Sequence, residues 1–169
     1  MLTQHTYFNL EAYRNPETDK VWNHTLYMPF SKRYLAIDDG AVPTGEILTA
    51  APDSVNDFAS KPSMPLGHAR DDPKFAGNCG AGGACEGYNG YWLIEDAPKD
   101  AVVVTLASPW NGIKVDLRTD QAGVQVYSCN WMDGTAALKS TQGNSERKTA
   151  GKSSAVAIEA QDWVDGINQ

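Results

Sequence analysis

The chain has 169 residues, 41% of them hydrophobic, which suffices for one domain (residues 1–169) with a real core and is too short for two of ordinary size. Its formal net charge of −7 argues against nucleic acid as a partner, because a polyanion is met by a basic surface. The most apolar run, residues 101–107, is far too short to cross a bilayer and reads as a buried strand, so no membrane span is expected.

In chain order, Thr3-Gln4-His5-Thr6-Tyr7-Phe8-Asn9-Leu10 reads as the end of a strand. His5 stands there beside two aromatics, and taken alone it reads as a histidine hydrogen-bonded within an aromatic cluster. Residues 11–20 are polar and turn-rich. In residues 25–30 the alternation of Leu26, Met28 and Phe30 predicts a strand, with Pro29 marking an edge or an end. A second short strand, residues 33–38, closes at Asp39-Gly40, and residues 42–47 form a turn with an extended exit. Residues 53–59, after Pro52, are the one helical candidate.

Residues 60–90 are dominated by Pro, Gly, Asp and Ala and are expected to be a long loop or set of loops rather than a packed element. The glycines there lack the following Lys-Ser/Thr of a phosphate-binding loop. Cys79 and Cys85 bracket a flexible Gly/Ala segment in which two sulfurs can meet, so a local disulfide is expected, with Cys129 left over. Zinc is the competing reading of these cysteines, but no second Cys pair and no His at ligand spacing accompanies them, so no metal site is assigned. Asn23-His24-Thr25 is an N-glycosylation acceptor sequence. Together with a disulfide it leans towards an extracellular location.

The rest is β-rich. Strands are expected at 91–94, 101–107, 112–118 and 123–128, with turns at 109–112 and at Asp133-Gly134, and a solvated loop over 142–153. The closing strand sets Val156 and Ile158 on one face and Ala157, Glu159 and Gln161 on the other. A carboxylate flanked by small side chains has room above it for a ligand, and poor solvation there would raise its pKa towards that of a general base. A solvated edge-strand glutamate is the alternative. With no helix-length pattern elsewhere and no repeat, the fold class is all-β, an antiparallel β-sandwich with long loops.

Taken in order, the segment 3–10, Pro43-Thr44-Gly45-Glu46-Ile47, Gly87-Tyr88-Asn89, Gly123-Val124-Gln125-Val126-Tyr127, Asp133-Gly134-Thr135 and the closing Glu159-Ala160-Gln161-Asp162-Trp163-Val164-Asp165-Gly166-Ile167-Asn168 resemble the aldose 1-epimerase (galactose mutarotase) family. Residues 22–26 and the Cys79-to-Cys85 loop are most similar to fungal secreted members. The resemblance implies a large antiparallel sandwich that interconverts the α and β anomers of free aldoses such as glucose and galactose, without metal or organic cofactor. It makes Glu159 the base, His5 the proton donor facing it across a sugar, and Gln125 an amide that hydrogen-bonds sugar hydroxyls.

Where the family has Asp after Gly-Tyr, this chain has Asn89, which can still donate to and accept from a hydroxyl. The family also carries a further N-terminal half, with a second histidine and an arginine, and continues past Asn168. The chain is therefore expected to be the C-terminal portion of such a protein, with sheet edges left open. A sugar-binding fragment without turnover is the alternative function. His24 and His68 lie in other contexts and are not assigned to the site.

Overall fold

The computed structural model describes residues 2–168, and Met1 and Gln169 lie outside them. Twelve strands are formed among the described residues: β1 (Tyr7–Phe8), β2 (Thr25–Tyr27), β3 (Arg33–Ile37), β4 (Pro43–Thr49), β5 (Met64–Pro65), β6 (Asn89–Leu93), β7 (Val104–Ala107), β8 (Lys114–Leu117), β9 (Gly123–Tyr127), β10 (Asp133–Ala137), β11 (Thr149–Gly151) and β12 (Val156–Gln161). They make a six-stranded sheet in the order β1-β12-β9-β6-β3-β4, a four-stranded sheet β5-β2-β7-β8 and a two-stranded ribbon β10-β11. Every pairing is antiparallel. The architecture is the all-β sandwich that the alternation predicts.

Side-chain parity decides which face of the larger sheet is buried. Val156 and Ile158 of β12, Val124 and Val126 of β9 and Trp92 of β6 share one face, where they meet Leu26, Val104 and Leu106 of the smaller sheet in a single core. Each such aliphatic side chain contributes about 1.5–3 kcal/mol when fully buried. The opposite parity puts Ala157, Glu159 and Gln161, together with Gln125, Tyr91 and Asn89, on the outer face. A small apolar cluster of Leu35, Tyr91 and Leu93, with Ile47 and Trp163 against it, covers part of that face.

Residues 60–90 correct the expectation of an unpacked loop. Met64–Pro65 adds a strand beside β2, and Leu66, Phe75 and Tyr88 are buried. The apolar residues of this stretch are few but large. The Tyr88 hydroxyl donates to the carbonyls of Val55 (3.2 Å) and Leu66 (3.0 Å), so the irregular backbone is pinned to the core by a polar tip. Cys79 and Cys85 form a disulfide with their Cα atoms 5.6 Å apart, whereas Cys129 is free and buried.

Residues 53–59 form turns and no helix. Asp53 has φ +63°, and the Asp57 carboxylate accepts from the backbone N–H groups of Asp53 (2.8 Å), Ala59 (3.1 Å) and Ser60 (3.0 Å), which competes with helical bonding. The strand expected over 101–107 begins at Val104, and Asp133-Gly134 lies inside β10 rather than in a turn between strands. The expected solvated loop over 142–153 contains β11, whose Ala150 is buried; three residues of Thr, Ala and Gly carry too little hydrophobic pattern to announce a strand.

Candidate active site

Strand register assembles the site row by row. Glu159 pairs with Gln125 and Gln125 with Tyr91, while in the next row Ala157 pairs with Tyr127 and Tyr127 with Asn89. Directly paired residues project from the same face, so one carboxylate, two amides and two phenols converge from β12, β9 and β6. Ala157 keeps its row low.

His5 reaches this face because the start of the chain runs along the edge of β12. Thr3 Oγ1 donates to the Ala160 carbonyl at 2.9 Å, the Gln4 side-chain amide donates to the Ile158 carbonyl, and Tyr7 and Phe8 then pair with Ala157 and Val156. Side chains thus stand in for the ladder before β1 begins. The Asn9 amide, bonded to the Ser154 carbonyl at 2.8 Å, anchors the far end of the segment. Between these anchors the His5 ring lies against Tyr7 and Tyr127, with centroids 4.9 and 6.3 Å away, and its Nε2 is 3.2 Å from Glu159 Oε1.

The environments of the two groups differ. Glu159 is 7% exposed, and burial raises its carboxyl above the usual carboxylate range against a downward pull from His5. The His5 side chain is 48% exposed and open to proton exchange with solvent. Beside them is a cavity of about 370 Å³ whose lining combines His5, Glu159, Gln161, Gln125 and Asn89 with apolar residues including Leu35 and Val164. Gln125 Nε2 donates to Asn89 Oδ1 at 2.9 Å, which leaves Gln125 Oε1 as an acceptor and the Asn89 amide as a donor towards a ligand.

All four residues singled out by sequence, His5, Glu159, Gln125 and Asn89, therefore line one cavity. His5 and Glu159 stand side by side in contact, not on opposite sides of a sugar-sized gap. Tyr91 and Tyr127 also line the cavity, and the sequence does not single them out as site residues. Period-two spacing from Asn89 and Gln125 is the signal that marks them, and it becomes readable only once the strand pairing is known.

The other two histidines serve the scaffold. His24 is fully buried, its Nε2 accepts the Leu10 N–H at 3.1 Å, and burial lowers its pKa against an upward pull from Glu11. The His68 ring nitrogens lie 2.9 and 3.0 Å from the Pro65 and Ser54 carbonyls. Burial pushes the Cys129 thiol up to about 12, which makes it a poor thiolate. Among the described residues, no group of three or more His, Cys, Asp or Glu is placed to hold a metal ion.

An antiparallel β-sandwich with a buried carboxylate against a histidine, beside paired amides, defines a protein with a polar, carboxylate- and imidazole-lined cleft on the outer face of its larger sheet. Residues 1–169 match the family described as aldose 1-epimerase, and the chain belongs to that family. A probable aldose 1-epimerase of Arthroderma benhamiae is 30% identical over 192 residues, covering 99% of this chain and 41% of that protein. Galactose mutarotase of Mus musculus is 27% identical over 168 residues, covering 99% of this chain and 42% of that protein. Among solved structures, the GalM/aldose epimerase homologue from C. elegans superposes with a TM-score of 0.66 at 21% identity, over 94% of this chain and 40% of that one. The chain thus spans about two fifths of the length of the relatives it matches.

Proposed function

We propose that this site interconverts the α and β anomers of a free aldose such as glucose or galactose. The observation that carries the reading is the 3.2 Å contact between a buried carboxylate of raised pKa and an exposed imidazole, inside a cavity of ligand size. The reaction needs a base at the C1 hydroxyl and an acid at the ring oxygen, and both oxygens are bonded to C1. Adjacent catalytic groups suit adjacent atoms.

In the proposed sequence Glu159 takes the proton of the C1 hydroxyl, the bond from C1 to the ring oxygen breaks, and that oxygen takes a proton from His5. Rotation about the C1–C2 bond then presents the other face of the aldehyde. The same two groups work in reverse: His5 recovers its proton as the ring oxygen attacks C1, and Glu159 returns its proton to the new C1 oxygen. Gln125 and Asn89 hold ring hydroxyls through the free acceptor and donor of their amide pair, and apolar residues such as Leu35 and Val164 face the less polar side of the sugar. The substrate partner is thus a small-molecule sugar.

One observation favours a second reading, sugar binding without turnover. The Asn89 and Gln125 amides provide hydrogen bonds without charge, which is enough to bind a sugar but does not add to the acid/base pair. Polarimetry of freshly dissolved α-glucose and α-galactose separates the two. Acceleration over buffer that is lost in Glu159→Gln supports turnover, whereas saturable sugar binding with no acceleration supports the second reading and sinks the first.

A further inference from the structure

The acceptor sequence at residues 23–25 lies outside the sugar cavity, and its geometry is that of a modification site. Asn23 closes a 3-10 turn, Val21–Asn23, and its side chain is exposed. His24 follows with extended backbone (φ −63°, ψ 141°) and is fully buried. Successive side chains of extended backbone point to opposite sides, so burying His24 turns both Asn23 and Thr25 outward together. A glycosyl acceptor needs the amide and the hydroxyl presented on one side.

Beside Asn23 is a second cleft of about 350 Å³, lined among others by Lys20, Trp22, Arg70, Glu86 and Lys152. It shares no residue with the cavity around Glu159. The Arg70 guanidinium lies over the Trp22 ring, 5.5 Å from its centre, and the Phe75 ring meets it edge-on at 5.7 Å. What the cleft offers a glycan is therefore chiefly its polar lining, with donors on Lys20, Arg70 and Lys152 and an acceptor on Glu86. Such groups hydrogen-bond the hydroxyl and acetamido groups of a sugar. The second independent observation is the Cys79–Cys85 disulfide, which persists in oxidising compartments, where N-glycosylation also takes place.

We propose that Asn23 carries an N-linked glycan whose first sugar rests in the cleft beside Trp22. The co-reactant is a lipid diphosphate-linked oligosaccharide. Asn23 Nδ2 forms a bond to C1 of its reducing-end N-acetylglucosamine, the C1–oxygen bond to the diphosphate breaks, the lipid diphosphate departs and one amide proton is lost to the transferase. The glycan covers the Trp22 cleft and leaves the Glu159 cavity open, so the modification and the anomer chemistry are independent.

The test is intact-mass measurement of the protein purified from the organism that makes it, before and after treatment with an amidase that releases N-glycans and deamidates the asparagine it frees. The expected result is a glycan-sized mass loss with deamidation mapped to position 23, absent in Asn23→Gln and Thr25→Ala and retained in Thr25→Ser, with sugar turnover the same in all. Deglycosylation is also expected to speed hydrogen exchange at Trp22 and Asn23. An unmodified mass, or a glycan mapped elsewhere, overturns the site; unchanged exchange after deglycosylation overturns the seating in the cleft.

Discussion

The imidazole of His5 and the carboxylate of Glu159 come from opposite ends of the chain and meet at 3.2 Å on the outer face of one sheet. Nothing local forces this contact. It exists because the segment from Thr3 to Phe8 is hung along the edge of β12, which also carries Glu159. The scaffold thereby holds the proposed base on β12 and the proposed acid in the segment tethered along that strand's edge just before β1.

Glu159→Gln separates function from stability. If Glu159 is the general base, turnover falls by about 10²–10⁴-fold. Stability moves differently. A carboxyl whose folded pKa is raised contributes stability below its unfolded pKa and loses that contribution as pH rises through the folded value. At neutral pH the native protein therefore carries the cost of a buried charge, and the amide removes it. Thermal melts at pH 7 are expected to show Glu159→Gln at least as stable as the parent, and a large drop would contradict the burial argument.

The pH profile follows from the same shift. The base acts deprotonated, so kcat/KM declines as pH falls through the Glu159 pKa, which burial places above the ordinary carboxylate value of about 4.3. His5 pulls that pKa down. In His5→Asn the pull is gone, and the acid limb of whatever activity remains moves to higher pH. An unmoved or lowered limb would show that the two groups do not interact in solution.

Gly123 sits opposite Gln161, and a Cβ built on it would collide with the Tyr91 ring and stand 2.5 Å from the Trp92 carbonyl oxygen. The backbone atom cannot move aside cheaply. Gly123→Ala is expected to cost about 1–3 kcal/mol of stability by overpacking, and to raise the sugar KM more than it lowers kcat, because Tyr91 is a wall of the cavity. Urea melts and steady-state kinetics check the two halves.

How far the site was legible follows from these same residues. Alternation in β12 sets Glu159 on the polar face before any pairing is known, and the ordered motifs bring in His5, Gln125 and Asn89. The placing of Tyr91 and Tyr127 in the walls is not legible, because cross-strand partners depend on a sheet order that joins residues 159, 125 and 91 in one row and 7, 157, 127 and 89 in the next. Residues 60–90 misled for another reason. Turn-forming residues announced a loop, while the few large side chains that anchor it, Leu66, Phe75 and Tyr88, fall at no regular spacing.

That anchoring can be measured. Tyr88→Phe keeps the ring in the core but removes the donor to the Val55 and Leu66 carbonyls. Leaving buried acceptors without a partner costs about 1–3 kcal/mol. Urea denaturation is expected to show that loss with little change in turnover, since Tyr88 packs on the core face, away from Glu159.

The most direct measurement of the central claim is two-dimensional exchange NMR on an equilibrium mixture of glucose or galactose anomers, which reads the α-to-β rate without any coupling enzyme. Catalytic amounts of the protein are expected to produce exchange cross-peaks between the two anomeric protons, with those peaks gone when Glu159→Gln or His5→Asn replaces it. Exchange no faster than in buffer, or equal exchange with Glu159→Gln, would contradict the assignment of this pair as the base and acid of mutarotation.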